Sequence, residues 1–145
     1  MNVEQIARDY VNKMNEPEKI KAYLTPDAMV SGSVLPQPIP ATEALHILSG
    51  FTNAIPDIKF EVGQVTVNGN EATVQLHWGG TQSTALSLPM PGMPTVPPTG
   101  KKVWVNDTYV LKVDGDKVSN MKMAAPADGG IPAALAQMGV QMPGM

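Results

Sequence analysis

The chain has 145 residues, 43% hydrophobic and 16% charged, with a net charge of −3 and Arg8 as its one arginine. That length suits one domain with a real core and is short for two. Without clustered Lys and Arg a nucleic-acid partner is not expected, and without cysteine there are no disulfides, thiolate catalysis or cysteine-based zinc sites. No apolar run approaches a membrane span, and no basic-then-apolar leader opens the sequence, so a cytoplasmic protein with no membrane partner is expected.

Residues 2–15 predict an amphipathic helix. Val3, Ile6, Ala7, Tyr10, Val11 and Met14 fall on one stripe, with Glu4, Arg8, Asn12 and Asn15 opposite. Pro17 suits the first turn of a short second helix through Leu24, capped by Asn15 or Glu16. Thr25-Pro26-Asp27 stops it, and Ala28-Met29-Val30 is a short strand candidate. Residues 31–40 hold three prolines and predict an irregular loop. Thr42 is a plausible cap for a third helix, from about Glu43 to Ala54, with Ala44, Leu45, Leu48, Phe51 and Ile55 as its apolar face. Pro56 ends it.

From Asp57 the period changes to two. Ile58, Phe60, Val62, Val65 and Val67 predict a strand bent at Gly63. Asn68-Gly69-Asn70 is a hairpin turn. A long strand follows, from Glu71 to about Leu88. Residues 88–98 carry five prolines, with Met90 and Met93 between them. They predict a stiffened hairpin loop, or a lid or partner contact. A further strand leads to the turn Val113-Asp114-Gly115-Asp116, and a last strand spans Lys117 to Ala124. The tail from Ala125 is partly irregular, with a helical turn or two over Pro132 to Met138. Three helices followed by four hairpin-linked strands predict a single α+β domain over 1–145, with the helices on one face of an antiparallel sheet.

Alternation sorts the side chains by face. Val74, Leu76, Trp78, Gly80, Gln82 and Thr84 share an inward face, and Thr73, Gln75, His77 and Gly79 point out. In the next strand Val103, Val105, Asp107, Tyr109 and Leu111 point in. Asp107 is thus a carboxylate among apolar groups. Such burial raises its pKa, as a general acid or base needs. Alternatively Asp107 only hydrogen-bonds Tyr109 or Tyr10. His77 lies on the outer face and His46 on the polar side of the third helix. With no carboxylate at ligand spacing, they predict no metal site. Asp27 predicts a turn, and Lys101 and Lys102 a solvated pair.

The chain resembles the SnoaL-like polyketide cyclase branch of the nuclear transport factor 2-like superfamily. The resemblance lies in Leu24-Thr25-Pro26-Asp27-Ala28, Ile55-Pro56-Asp57, Gly80-Thr81-Gln82 and Pro97-Pro98-Thr99-Gly100-Lys101-Lys102. Asp114-Gly115-Asp116-Lys117-Val118 and Gln137-Met138-Gly139-Val140 extend it over almost the whole chain. It implies a cone in which a curved sheet wraps helices around a pocket, and a homodimer through the outer sheet face. It also implies a small hydrophobic ligand, an oxygen-bearing ring compound, with lyase- or isomerase-type proton transfer or with binding alone. No cofactor is expected. The family's hairpin reads Gly-Thr-His; here Gln82 takes the histidine position. A glutamine can hydrogen-bond a carbonyl but cannot carry a proton at neutral pH. The family's aspartate after the last strand falls near Pro126, and Asp128 could stand in if the segment is shifted. The aromatic expected among Met121, Lys122 and Met123 is absent. In the ketosteroid isomerase branch the base falls at about Gly32. On this reading Asp107 and Asp128 are the candidate proton carriers. Tyr10 and Gln82 hold a ligand oxygen, and Trp78 and Tyr109 give apolar contact.

Overall fold

The computed structural model describes residues 2–32, 35, 37–88, 95–126 and 128–139. Helix α1 (Val3–Asn12) starts where the Asn2 side chain accepts the Gln5 N–H at 2.8 Å, occupying one donor that the first turn leaves free. Its buried stripe is Ile6, Ala7, Tyr10 and Val11, as the spacing predicts. Helix α2 (Pro17–Ile20) is shorter than expected and passes into a 3₁₀ turn, Lys21–Tyr23. Strand β1 (Leu24–Gly32) absorbs Thr25-Pro26-Asp27, and β2 (Ile39–Pro40) is a two-residue strand within the expected loop. Helix α3 (Ala41–Ala54) begins a residue before its expected cap. Then come β3 (Lys59–Asn68), β4 (Glu71–Thr81), β5 (Lys102–Asp114), β6 (Lys117–Met123) and α4 (Gly130–Gln137).

The strands form one curved sheet in the order β2-β1-β6-β5-β4-β3. Every pairing is antiparallel except β1 with β6, which is parallel. The parallel pair follows from connectivity. After β1 the chain crosses through α3 to the far edge, and three hairpins bring it back to β6 running in the same direction as β1. Gly69, at φ 64°, supplies the left-handed residue of the β3–β4 turn. Register shifts between Val62 and Val65 in β3, and between Lys112 and Val113 in β5, bend the sheet. The first lies at the bend expected at Gly63.

The inward faces follow the alternation, except that Thr84, expected inside, is exposed and Gly79, expected outside, is buried. Val74, Leu76, Trp78 and Gln82 are buried, as are Val103, Val105, Asp107, Tyr109 and Leu111. β4 ends at Thr81, well short of Leu88. Beyond it Leu86 and Val96 exchange two 2.8 Å backbone hydrogen bonds, so the hairpin loop is stitched at its base. Residues 89–94, where the lid or partner-contact expectation falls, lie outside the described residues. Helix α1 lies across β3 to β6, and α3 covers β1 and β2. The space between these layers holds the cavity. Among the described residues, no helix is long and apolar enough to cross a membrane.

Candidate functional site

A cavity of about 70 Å³ opens between the helices and the concave sheet face. Tyr10 reaches it from α1, Met14 from the turn that follows, and Ala44, Leu45, Leu48 and Phe51 from α3. Phe60, Trp78, Tyr109, Met121 and Met123 come from the sheet, Leu35 from the segment after β1, and Ile131 from α4. The wall is almost wholly apolar. Half-buried Leu35, Ala44, Leu48 and Met123 form its rim.

The back of the cavity is an aromatic cluster. The Trp78 ring meets the edge of Phe51 at 5.3 Å and stacks on Phe60 at 5.9 Å. The Trp78 Nε1–H donates to Asp107 Oδ2 at 2.9 Å, and the Thr108 N–H donates to Asp107 Oδ1 at 2.8 Å. Leu76 pairs with Asp107 across β4 and β5, and Trp78 with Val105. This register sets the indole one step along the sheet from the carboxylate. Asp107 is only 5% exposed. Burial pushes its carboxyl above the usual carboxylate range, against the hydrogen bonds from Trp78 and Thr108 and the nearby Tyr109 hydroxyl, which pull it down. The Tyr109 phenol is pushed well up by burial first, then by the nearby Asp107 charge and by Tyr10. Gly130, at φ 68°, lies directly over this carboxylate. A Cβ there would stand 3.6 Å from Asp107 Oδ1 and 2.6 Å from the Ala125 Cβ, so the position requires glycine.

Tyr10 is 3% exposed, and burial pushes its phenol up. Its hydroxyl donates to the Met121 Sδ at 3.4 Å, a weak acceptor. Tyr10 from α1 and Trp78 and Tyr109 from the sheet therefore all line the cavity, with Asp107 hydrogen-bonded to Trp78 and outside the lining.

The structure separates the other two expected residues from this group. Gln82 is fully buried but does not line the cavity. Its Nε2 donates to the carbonyls of Thr84 at 3.2 Å and Pro97 at 3.1 Å, and its Oε1 accepts the Thr99 hydroxyl. This corrects the expectation that Gln82 holds a ligand oxygen: its amide ties down the base of the long loop. Asp128 is exposed in the turn before α4, where the Gly129 N–H donates to the Pro126 carbonyl at 2.9 Å. That placement leaves Asp128, expected as a proton carrier, outside the cavity lining.

Sequence reasoning assigns none of the wall's three methionines to the site. Met14 was legible as core. Met121 was hidden because Val118 and Met121 both face inward, three residues apart, across a β5–β6 register shift that strict alternation cannot anticipate. His77 and His46 are exposed, His77 on the outer face as expected. No three His, Cys, Asp or Glu side chains gather to hold a metal ion among the described residues.

Residues 5–121 match the family described as SnoaL-like domain. No curated protein matches the chain. Among solved structures, it resembles AclR, a candidate hydroxylase from Streptomyces galilaeus, at TM-score 0.74 and 16% identity, over 94% of this chain and 95% of that one. It resembles IdmH, a candidate polyketide cyclase from Streptomyces antibioticus, at TM-score 0.73 and 17% identity, over 97% and 100%. A candidate SnoaL-like polyketide cyclase from Jannaschia sp. CCS1 aligns at TM-score 0.68 and 20% identity, over 83% of each chain. At these identities the likeness is one of fold, and the differing activities named for these relatives show that the fold alone does not choose a reaction.

Proposed function

Since the chain belongs to the SnoaL-like domain family, we propose that its cavity takes up a hydrophobic, oxygen-bearing ring compound and that Asp107 serves proton transfer of the lyase or isomerase type. The observation that carries the reading is the buried Asp107 carboxylate, held by Trp78 Nε1–H at 2.9 Å behind a wall formed by Trp78 and Tyr109. A carboxyl raised by burial exchanges protons closer to neutral pH than an exposed one. The Tyr10 hydroxyl holds the ligand oxygen. The Tyr109 hydroxyl, between cavity and carboxylate, carries the proton to and from Asp107. The apolar wall provides the remaining contact.

Size constrains the ligand's entry. The cavity of about 70 Å³ is roughly half the engineered cavity of about 150 Å³ that admits benzene. A ring enters only as side chains shift, and Met14, Met121 and Met123 are the adaptable ones. Titration with ring ketones and phenols, followed through methionine methyl resonances, tests this. The expected shifts concentrate on Met14, Met121 and Met123, and Tyr10→Phe weakens binding roughly 2- to 10-fold, the worth of one net hydrogen bond. No shift at these methyls overturns the reading. A second reading, binding without chemistry, is favoured by one observation: Asp107 is not itself in the cavity wall.

The outer sheet face is the proposed homodimer contact. Trp104 is 40% exposed and stacks on His77 at 6.2 Å. Beside it a groove carries both Lys59 and Lys102 and both Asp57 and Glu61, a charge pattern that a two-fold contact can satisfy by setting lysines of one copy against carboxylates of the other. Sedimentation is expected to give a dimer for the wild type and a monomer for Trp104→Asp. A wild-type monomer at high micromolar concentration overturns the assignment.

A further inference from the structure

The cavity offers a ligand few polar atoms. Trp78 Nε1–H is committed to Asp107, and the Tyr109 hydroxyl lies close enough to Asp107 to share a hydrogen bond with it. Tyr10 differs. Its hydroxyl donates at 3.4 Å to a thioether, Met121 Sδ. Sulfur is the weakest of the common side-chain acceptors. The Met121 side chain also has three rotatable bonds and lines the space that must widen before a ring can enter.

We propose that Met121 is a specificity-determining residue: its thioether occupies the acceptor place at the Tyr10 hydroxyl until a ligand's carbonyl or ether oxygen displaces it. The inference rests on the ligand-binding reading above and sharpens it. One movement does two things. It enlarges the cavity, and it frees the one donor whose partner is easily exchanged. The site then selects neutral hydrogen-bond acceptors. A ligand without an acceptor gains nothing by displacing Met121, which would leave the Tyr10 hydroxyl unpaired in a buried place; it enters with the thioether still on the hydroxyl and makes its room by moving Met14 or Met123. A carboxylate would enter a wall with no cationic side chain among the described residues, costlier still.

The test compares acetophenone with α-methylstyrene, which carries a methylene in place of the carbonyl oxygen. Affinities are read by chemical-shift titration of the full chain. The wild type is expected to prefer acetophenone roughly 2- to 10-fold. Tyr10→Phe removes the preference. Met121→Leu widens it, because the ketone no longer competes with a resident acceptor, and Met121→Ile serves if the leucine variant does not fold. Met29→Leu, on β1 and outside the cavity lining, leaves it unchanged. A preference that Met121→Leu leaves unaltered or narrows overturns the proposal, as does a Met121 methyl that stays in place when acetophenone binds. Both probes binding with equal affinity to the wild type overturns the role of the Tyr10–Met121 pair and leaves the pocket reading standing. Binding of neither probe sinks the pocket reading, and this inference with it.

Discussion

Replacing Trp78 with alanine is expected to destabilise the chain by roughly 3–5 kcal/mol, the cost of deleting a buried aromatic side chain. Trp78 is 3% exposed and joins Phe51 to Phe60 through ring contacts at 5.3 and 5.9 Å. Alanine empties the middle of that cluster and leaves Asp107 Oδ2 without its donor. Because small domains have net stabilities of about 5–15 kcal/mol, the variant is expected near the limit of folding. Trp78→Phe separates the two contributions. It keeps most of the packing and loses the Nε1–H, so it should cost roughly 1–3 kcal/mol, the penalty for a buried group deprived of its partner. Urea denaturation of both variants, followed by far-ultraviolet circular dichroism, checks this. Equal losses for the two would mean that the aromatic contacts add nothing beyond the hydrogen bond. A neutral Trp78→Phe would mean that the bond to Asp107 contributes nothing.

The placement of Trp78 and Asp107 was readable from the sequence because strand alternation is a local rule. It put Val74, Leu76 and Trp78 on the same face as Gln82, and Asp107 among Val103, Val105 and Tyr109, and burial agrees at each. The partner of Asp107 was not readable. Of the two partners the sequence suggests, Tyr109 does lie close enough to act on the carboxyl, but the hydrogen bonds at 2.9 and 2.8 Å come from Trp78 and the Thr108 N–H, which it does not suggest. Cross-strand register depends on where both hairpin turns and bulges fall, and alternation carries no such information. Gln82 shows the same boundary. Its face was right, but β4 ends one residue before it, and the side chain turns to the loop carbonyls of Thr84 and Pro97 instead of the cavity. The parallel pairing of β1 with β6 joins segments about a hundred residues apart, and no local pattern announces it. Asp128 was placed by family resemblance alone, and an exposed turn is what the Asp-Gly-Gly sequence itself favours there.

Asp107→Asn has the most informative expected outcome, because stability and turnover should respond in opposite directions. Burial holds the native carboxyl above the usual carboxylate range. The folded chain therefore keeps the Asp107 proton at pH values where the unfolded chain has released it. Stability falls with pH wherever the native state binds more protons, so this contribution is fully present below the unfolded carboxylate pKa and is lost as pH rises through the native value. Each unit of upward shift is worth about 1.4 kcal/mol at pH values above both. Asparagine has no proton to lose, and its side-chain oxygen can still accept from Trp78 Nε1–H. In thermal melts the variant should gain on the wild type as pH rises from about 3 towards neutrality. A constant gap, or a wild type that gains with pH, would contradict the raised carboxyl. Turnover should fall. If Asp107 carries the proton by way of Tyr109, losing it costs roughly 10²- to 10⁴-fold in kcat/KM with ligand affinity little changed. Full turnover in a variant that shows the expected pH-dependent gain in stability would leave Asp107 as a buried partner of Trp78 and nothing more. The cavity would then be a binding site whose chemistry, if it has any, lies with other residues of its wall.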